Sequence, residues 1–184
     1  MEIIETGIEG LKVIRPKLFG DARGYFCETY NEERYRQAGI TQRFRQDNLS
    51  KSRYGVIRGL HFQLQPKSQA KLVSVIVGTV YDVAVDLRAG SPTYGQWYGV
   101  TLDGESKTQF LIPQGFAHGF SVLSPEAVFT YKCDNLYAPE LEGGVAYDDP
   151  DLAIDWKVPE ADRVVSEKDT RHPLLRDVKT NFTL

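Results

Sequence analysis

Apolar and polar positions alternate along most of this chain with the two-residue period of β-strands. The clearest run is KLVSVIVGTVYDVAVDL, from Lys71 to Leu87, rich in β-branched residues and interrupted by Gly78-Thr79. Glycine at the first of two loop positions suits a type II′ turn, so the run is predicted as a hairpin. Its register sets Val77 against Val80, Val75 against Asp82, Val73 against Ala84 and Lys71 against Asp86. One face then carries Lys71, Asp82 and Asp86 among small apolar residues. The other, with Leu72, Ile76, Tyr81, Val83, Val85 and Leu87, reads as a core face. GQWYGVTLDGESKTQFLIP predicts a second hairpin with Asp103-Gly104 at its tip, and AVFTYKCDNLY a further strand. Helical signals come once, early: Asn31 as N-cap, EERYRQA for the turns and Gly39 just past the end. The tail after Pro159 is polar, with short turns or a helix near SEKDTRHPLL. With no repeat or linker, residues 1–184 form one domain. Many short strands between turn signals predict a mainly β fold, a double-sheet jelly-roll barrel with a few short helices. Such a barrel has a mouth where inward polar side chains hold a small ligand.

Composition narrows the function classes. At 184 residues the chain buries a sizeable core. A net charge of −3 supplies no basic field for nucleic acid or anionic membrane, so any anion must be held by a few local arginines and lysines. The longest apolar run is broken by Gly and Asp and falls short of a membrane span. MEIIETGIEG is acidic and unlike a signal peptide, which leaves Cys27 and Cys133 as reduced thiols in a soluble cytoplasmic protein.

Two of the three histidines, His61 and His118, fall in or beside predicted strands. IPQGFAHGF carries P-x-G-x-x-H, the second of the two cupin signatures, but the first needs H-x-H and this chain has His61-x-Gln63. A transition metal there would lack its ligand set, so no metal is expected. A neutral imidazole in an apolar barrel serves instead as a general base, given a carboxylate to fix its tautomer and a cation for the charge it creates. Lys71 supplies a cation and Tyr131 a phenolic proton; the carboxylate is Asp82, Asp86 or Asp169. Each residue also has an ordinary structural reading. Lys71 opposite Asp86 makes a cross-strand ion pair, Tyr131 an amphipathic strand residue, and Ser166 to Asp169 a capping box. His172, before Pro173 in a polar tail, reads as surface.

Jointly the motifs are more specific. KLFGDARGYFCETYN, QDNLSKSRYGVIRGLHFQ, KLV, VYDVAVDLR, IPQGFAHGF, YKCDNLYAPE and SEKD run in order from about Phe19 to Asp169. In this the chain resembles the dTDP-4-dehydrorhamnose 3,5-epimerases. The resemblance implies a cupin-type jelly-roll homodimer, working without metal or other cofactor, that inverts C3 and C5 of a dTDP-linked 4-keto-6-deoxy sugar. Carried over by position, His61 is the base, Asp169 its orienting partner, Tyr131 the acid on the opposite face, and Lys71 the enolate's cation. Gln46, Asp47, Asn48, Arg58, His118, Glu142 and Lys168 match nucleotide-sugar contacts, and Tyr137 the ring that stacks on thymine. Arg23, Phe26 and Glu28 match a segment that reaches the nucleotide from the neighbouring subunit. Where family members often have Tyr-Tyr, this chain has Leu136-Tyr137, which alters base stacking. An epimerase acting at one carbon, or a non-catalytic sugar-nucleotide binding module on the same barrel, would carry many of the same motifs.

One local conflict remains. Arg58 and His61 are three residues apart, which puts them on opposite faces of a regular strand. They serve one pocket only if the strand bulges, most easily at Gly59, or if Arg58 reaches around the rim.

Overall fold

The computed structural model describes residues 1–184. In chain order the strands are β1 (Glu2–Glu5), β2 (Lys12–Arg15), β3 (Leu18–Asp21), β4 (Gly24–Cys27), β5 (Gln46–Arg53), β6 (Val56–Gln63) and β7 (Lys71–Val77). There follow β8 (Thr79–Asp86), β9 (Trp97–Asp103), β10 (Gln109–Ile112), β11 (Phe116–Val122), β12 (Glu126–Cys133), β13 (Glu142–Gly144) and β14 (Val164–Val165). One helix, α1 (Glu32–Gln37), lies between β4 and β5, and the tail forms short 3-10 turns. Two sheets face each other, in the orders β1-β2-β10-β7-β12-β5 and β13-β6-β11-β8-β9; β14 runs parallel to β6, and β3-β4 form a separate ribbon. This is a cupin-type jelly roll in its double-sheet form. The sheets keep separate edges and do not close into one hydrogen-bonded cylinder. No helix is long and apolar enough to cross a membrane.

Both predicted hairpins are in fact corners where the chain changes sheets. β7 pairs with β10 and β12, whereas β8 pairs with β9 and β11, so Lys71 does not lie beside Asp86. Likewise β9 belongs to the second sheet and β10 to the first. The reason lies at Gly78, with φ +84°, where a β-carbon would fall 2.1 Å from the Glu126 carbonyl oxygen. The start of β12 occupies the space a hairpin partner would need. The Gly104 N–H donates to the Gly78 carbonyl, so the two corners brace one another.

Strand alternation still decides which side chains meet. Val73 and Val75 of β7 meet Val80 and Ala84 of β8 across the space between the sheets, in a core that includes Phe110, Phe116, Phe120 and Phe129. The expected single core face is divided. Val83, Val85 and Leu87 pack outward under the C-terminal segment with Trp156 and Phe182, while Leu72 packs with Ile14, Tyr35, Ile40 and Leu111. Ile76 remains exposed. Asp86 is buried beneath Arg88, which it holds at 2.8 Å, and accepts from Ser91 and Thr93.

Helix α1 forms where predicted. The Asn31 side chain accepts from the Arg34 N–H, and Gly39 takes φ +81° just past the end. Its Tyr35 is buried and donates to Gln109 at 2.6 Å, fastening α1 to the sheet. Asn31→Ala is expected to lower the unfolding free energy by ~1 kcal/mol, the usual cost of a lost N-cap, read from urea denaturation.

Candidate active site

The apolar core fills one end of the space between the sheets and leaves the other polar. At that end β12 sets Cys133 beside Gln46 of β5 and Lys71 of β7, and in the facing sheet β13 sets Glu142 beside Gln63 and Gly144 beside His61. The strands therefore deliver their polar residues to one mouth. A cleft of about 290 Å³ opens there, lined by Gln46, Asn48, His61, Phe62, Gln63, Gln69, Lys71, Tyr131, Tyr137 and Glu142.

The conflict over Arg58 and His61 resolves at a bulge. His118 of β11 pairs with His61, and Phe120 with Arg58, so Gly59 and Leu60 together oppose Gly119. Cross-strand partners share a face. Because His118 and Phe120 both point inward, Arg58 and His61 return to one side. Gly59 has φ +128°, and a β-carbon on it would meet the Gly119 Cα at 2.5 Å. Only glycine allows the two backbones this close approach. Arg58 donates to Ser52 Oγ at 3.0 Å and lines a hollow beside the cleft together with His61, Lys168 and Asp169.

His61 Nε2 lies 2.7 Å from Asp169 Oδ1, and the other oxygen of Asp169 accepts from the Gly59 N–H at 3.2 Å. Burial works to raise the Asp169 carboxyl, but the bonds from His61 and Gly59 outweigh it and hold it below the ordinary carboxylate range. Asp169 is thus an anion behind the imidazole. It fixes Nε2 as the protonated nitrogen and leaves Nδ1 with a free lone pair. The capping spacing is also real, because Ser166 Oγ accepts from the Asp169 N–H at 3.1 Å. The backbone is capped while the side chain goes to His61.

The other two aspartates are taken. Asp86 belongs to Arg88, and Asp82 lies 3.0 Å from His118 Nε2 deep in the core. Burial pushes the Asp82 carboxyl up and the His118 imidazole down, each toward its neutral form, while their mutual contact opposes both shifts. His118 also stacks on Phe129. Lys71 sits with its ammonium 5.7 Å from the Tyr131 ring centre. Burial lowers the Lys71 pKa, with Cys133, Asp82 and Glu142 working against it. Burial also pushes the Tyr131 phenol up, which keeps it protonated.

At the rim, Tyr137 donates to Glu142 at 2.9 Å, Lys168 reaches the same carboxylate at 2.5 Å, and Gln46 accepts from the Tyr137 N–H. Leu136 is exposed beside it. Asp47 does not join them. Strand alternation turns it to the outer face of the sheet, where it pairs with Lys132 at 3.0 Å. Arg23, Phe26 and Glu28 lie on or just past the β3-β4 ribbon and none lines the cleft; Arg23 pairs only with Asp21, and Glu28 with Arg34 and Asn31.

Two further residues, one bracing a loop at the cleft and one packed outside its lining, were not singled out from sequence. Gln63, in the position of the missing cupin histidine, is buried and bonds the backbone of Lys67, Leu136 and Ala138. It pins the loop that presents Tyr137. His172 is half-buried against His61, with ring centres 5.6 Å apart, not free on the surface. The adjacent Gly143 and Gly144 were the available signal, since paired glycines in a strand mark a close approach by other groups.

Known proteins match the chain over nearly its whole length. The family model described as dTDP-4-dehydrorhamnose 3,5-epimerase matches residues 5–177. A dTDP-4-dehydrorhamnose 3,5-epimerase of Methanothermobacter thermautotrophicus is 50% identical over 175 residues, 95% of this chain and 94% of its own. The crystal structure of the Elizabethkingia anophelis dTDP-4-dehydrorhamnose 3,5-epimerase superposes with a TM-score of 0.92 at 53% identity, covering 96% of this chain and 97% of that one. A dTDP-6-deoxy-D-glucose-3,5-epimerase of Legionella pneumophila, in complex with dTDP-4-keto-L-rhamnose, gives 0.93 at 55% identity over 97% and 94%.

Proposed function

The chain belongs to the dTDP-4-dehydrorhamnose 3,5-epimerase family, and from that premise we propose how its cleft carries the reaction. The enzyme converts dTDP-4-dehydro-6-deoxy-D-glucose to dTDP-4-dehydro-L-rhamnose, on the route to dTDP-L-rhamnose. Protons on C3 and C5 are both alpha to the C4 ketone, so loss of either gives an enolate with its charge on O4. His61, held by Asp169 through Nε2, takes the proton on Nδ1. Lys71 neutralises O4, and Tyr131 returns a proton from the face opposite His61. The observation that carries this reading is that His61, Lys71 and Tyr131 line one cleft with Asp169 bonded directly behind the base. No step calls on a metal or redox cofactor.

Lys71→Ala tests the cation. With one preorganised donor to the oxyanion gone, kcat is expected to fall ~10²–10³-fold. Deuterium uptake at C3 and C5 should slow with it, because the enolate itself is less accessible. Uptake at the wild-type rate would separate Lys71 from the enolate.

For the nucleotide, Arg58 pairs with the diphosphate and Tyr137 stacks on thymine, with Gln46, Asn48, Glu142 and Lys168 completing the rim. His118, bonded to Asp82, supports the floor. Arg23, Phe26 and Glu28 serve the cleft of a second copy, in a homodimer. This accounts for a ribbon that exposes Phe19, Tyr25 and Phe26 together on one element. A cytoplasmic site of action fits the water-soluble substrate and two unpaired cysteines.

A further inference from the structure

His172 has no part in the reaction as proposed, yet its placement is constrained. Its ring lies over the Cα of Gly144, where a β-carbon would fall 2.3 Å from Cε1 and Nδ1. Gly144 is the strand partner of His61, so this slot holds the ring edge-on to the base, with planes at 89°. Its Nδ1 is buried without a hydrogen-bond partner. One donor atom each from His61, Asp169 and His172 lies within 4.8 Å of the other two.

We infer that His61, Asp169 and His172 form an inhibitory site for a divalent cation of the Zn²⁺ type. Two imidazoles and a carboxylate are donors that zinc accepts, with a water completing a tetrahedron. Bonds of about 2.0–2.1 Å put tetrahedral donor atoms roughly 3.3 Å apart, so the cluster must tighten around the ion. Asp169 is 4% exposed and holds the Gly59 N–H, so the tightening falls to the two imidazole rings. The site differs from the cupin ligand set, sharing only His61. Gln63 is bound to loop backbone, and His118 is held by Asp82.

The consequence follows from the tautomer. Zinc on His61 Nε2 replaces the proton now shared with Asp169. The neutral ring then carries its single proton on Nδ1, the nitrogen that must accept from C3 and C5. The hydrogen bond to Asp169 gives way to two metal bonds, and the base is switched off without net change in the ring's charge. The effect on rate rests on His61 being the base; the binding does not.

The test titrates metal-free enzyme with ZnCl₂, by calorimetry without substrate and in the turnover assay, for wild type, His172→Ala and His172→Gln. One ion should bind the wild type, micromolar zinc should slow it more than ~10-fold, and a chelator should restore the rate it has without metal. Both variants should keep their basal rate and need at least ~10-fold more zinc for binding and for inhibition, the lower bound seen when even an outer partner of a metal ligand is lost. Co²⁺ in the wild type should give the intense visible bands of a four-coordinate ion, a readout that needs no variant. Absence of binding, an octahedral Co²⁺ spectrum, or unchanged zinc affinity in both variants overturns the site. Tight binding without inhibition overturns the inhibitory role, and with it His61 as the base, while leaving the metal site standing.

Discussion

His61→Ala is expected to lower deuterium uptake from D₂O at both C3 and C5, and turnover with it, by about 10²–10⁴-fold, the usual contribution of a positioned general base. Both positions should fail together, because a single imidazole on one face of the sugar serves both protons. His118 cannot replace it. That ring is 6% exposed and its Nε2 is held by Asp82 at 3.0 Å, so it has no route to a carbon-bound proton. The deletion is also structurally mild. Asp169 keeps its bonds to the Gly59 N–H and to Ser166, and the bulge that aims residue 61 is set by backbone contacts with Gly119. Unchanged circular dichroism and unfolding midpoint would show that the loss is chemical. Proton NMR of substrate incubated with the variant reads the result directly: uptake at wild-type rate at either carbon would mean a different base for that carbon.

How far the sequence foretold this site depends on the range of each interaction. Asn31 and Gly39 marked α1 correctly because capping is settled within a few residues. That Lys71, Val73, Val75, Val80, Asp82 and Ala84 share one face was also legible, since the two-residue period survives whatever partner a strand takes, although the pattern pointed to the opposite face as the core. The partner itself was not. Gly78-Thr79 looks like a hairpin turn from within the run, and only the approach of Glu126, far along the chain, makes it a corner. The same limit applied to the base's carboxylate. Asp82, Asp86 and Asp169 were equivalent on residue type alone, and each has a different partner in the fold: His118, Arg88 and His61. Asp169 is 108 residues from His61, so spacing could not choose it; the family resemblance did. Asp47 shows the opposite failure. It matches the family's motif, yet the period of β5 turns it away from Gln46 and Asn48.

Tyr131→Phe separates proton removal from proton return. The substitution keeps the ring that packs 5.9 Å from Phe129 and lies beneath the Lys71 ammonium, and removes only the hydroxyl. Burial holds that phenol above its ordinary pKa, so in the wild type it is a proton donor throughout the neutral range. Without it the enolate still forms, since His61, Asp169 and Lys71 are untouched. The His61 side chain is 30% exposed, so its proton is expected to exchange with solvent. A deuteron returned by His61 re-enters on the face it left, so the label accumulates at C3 and C5 while configuration is retained. Turnover to the inverted sugar is expected to fall ~10²–10⁴-fold, the range for a lost general acid, with exchange remaining near the wild-type rate. This split distinguishes an acid from a packing residue. A structural tyrosine would lower exchange and inversion together, through a disordered cleft. Normal inversion by the phenylalanine variant would assign the second proton to another donor.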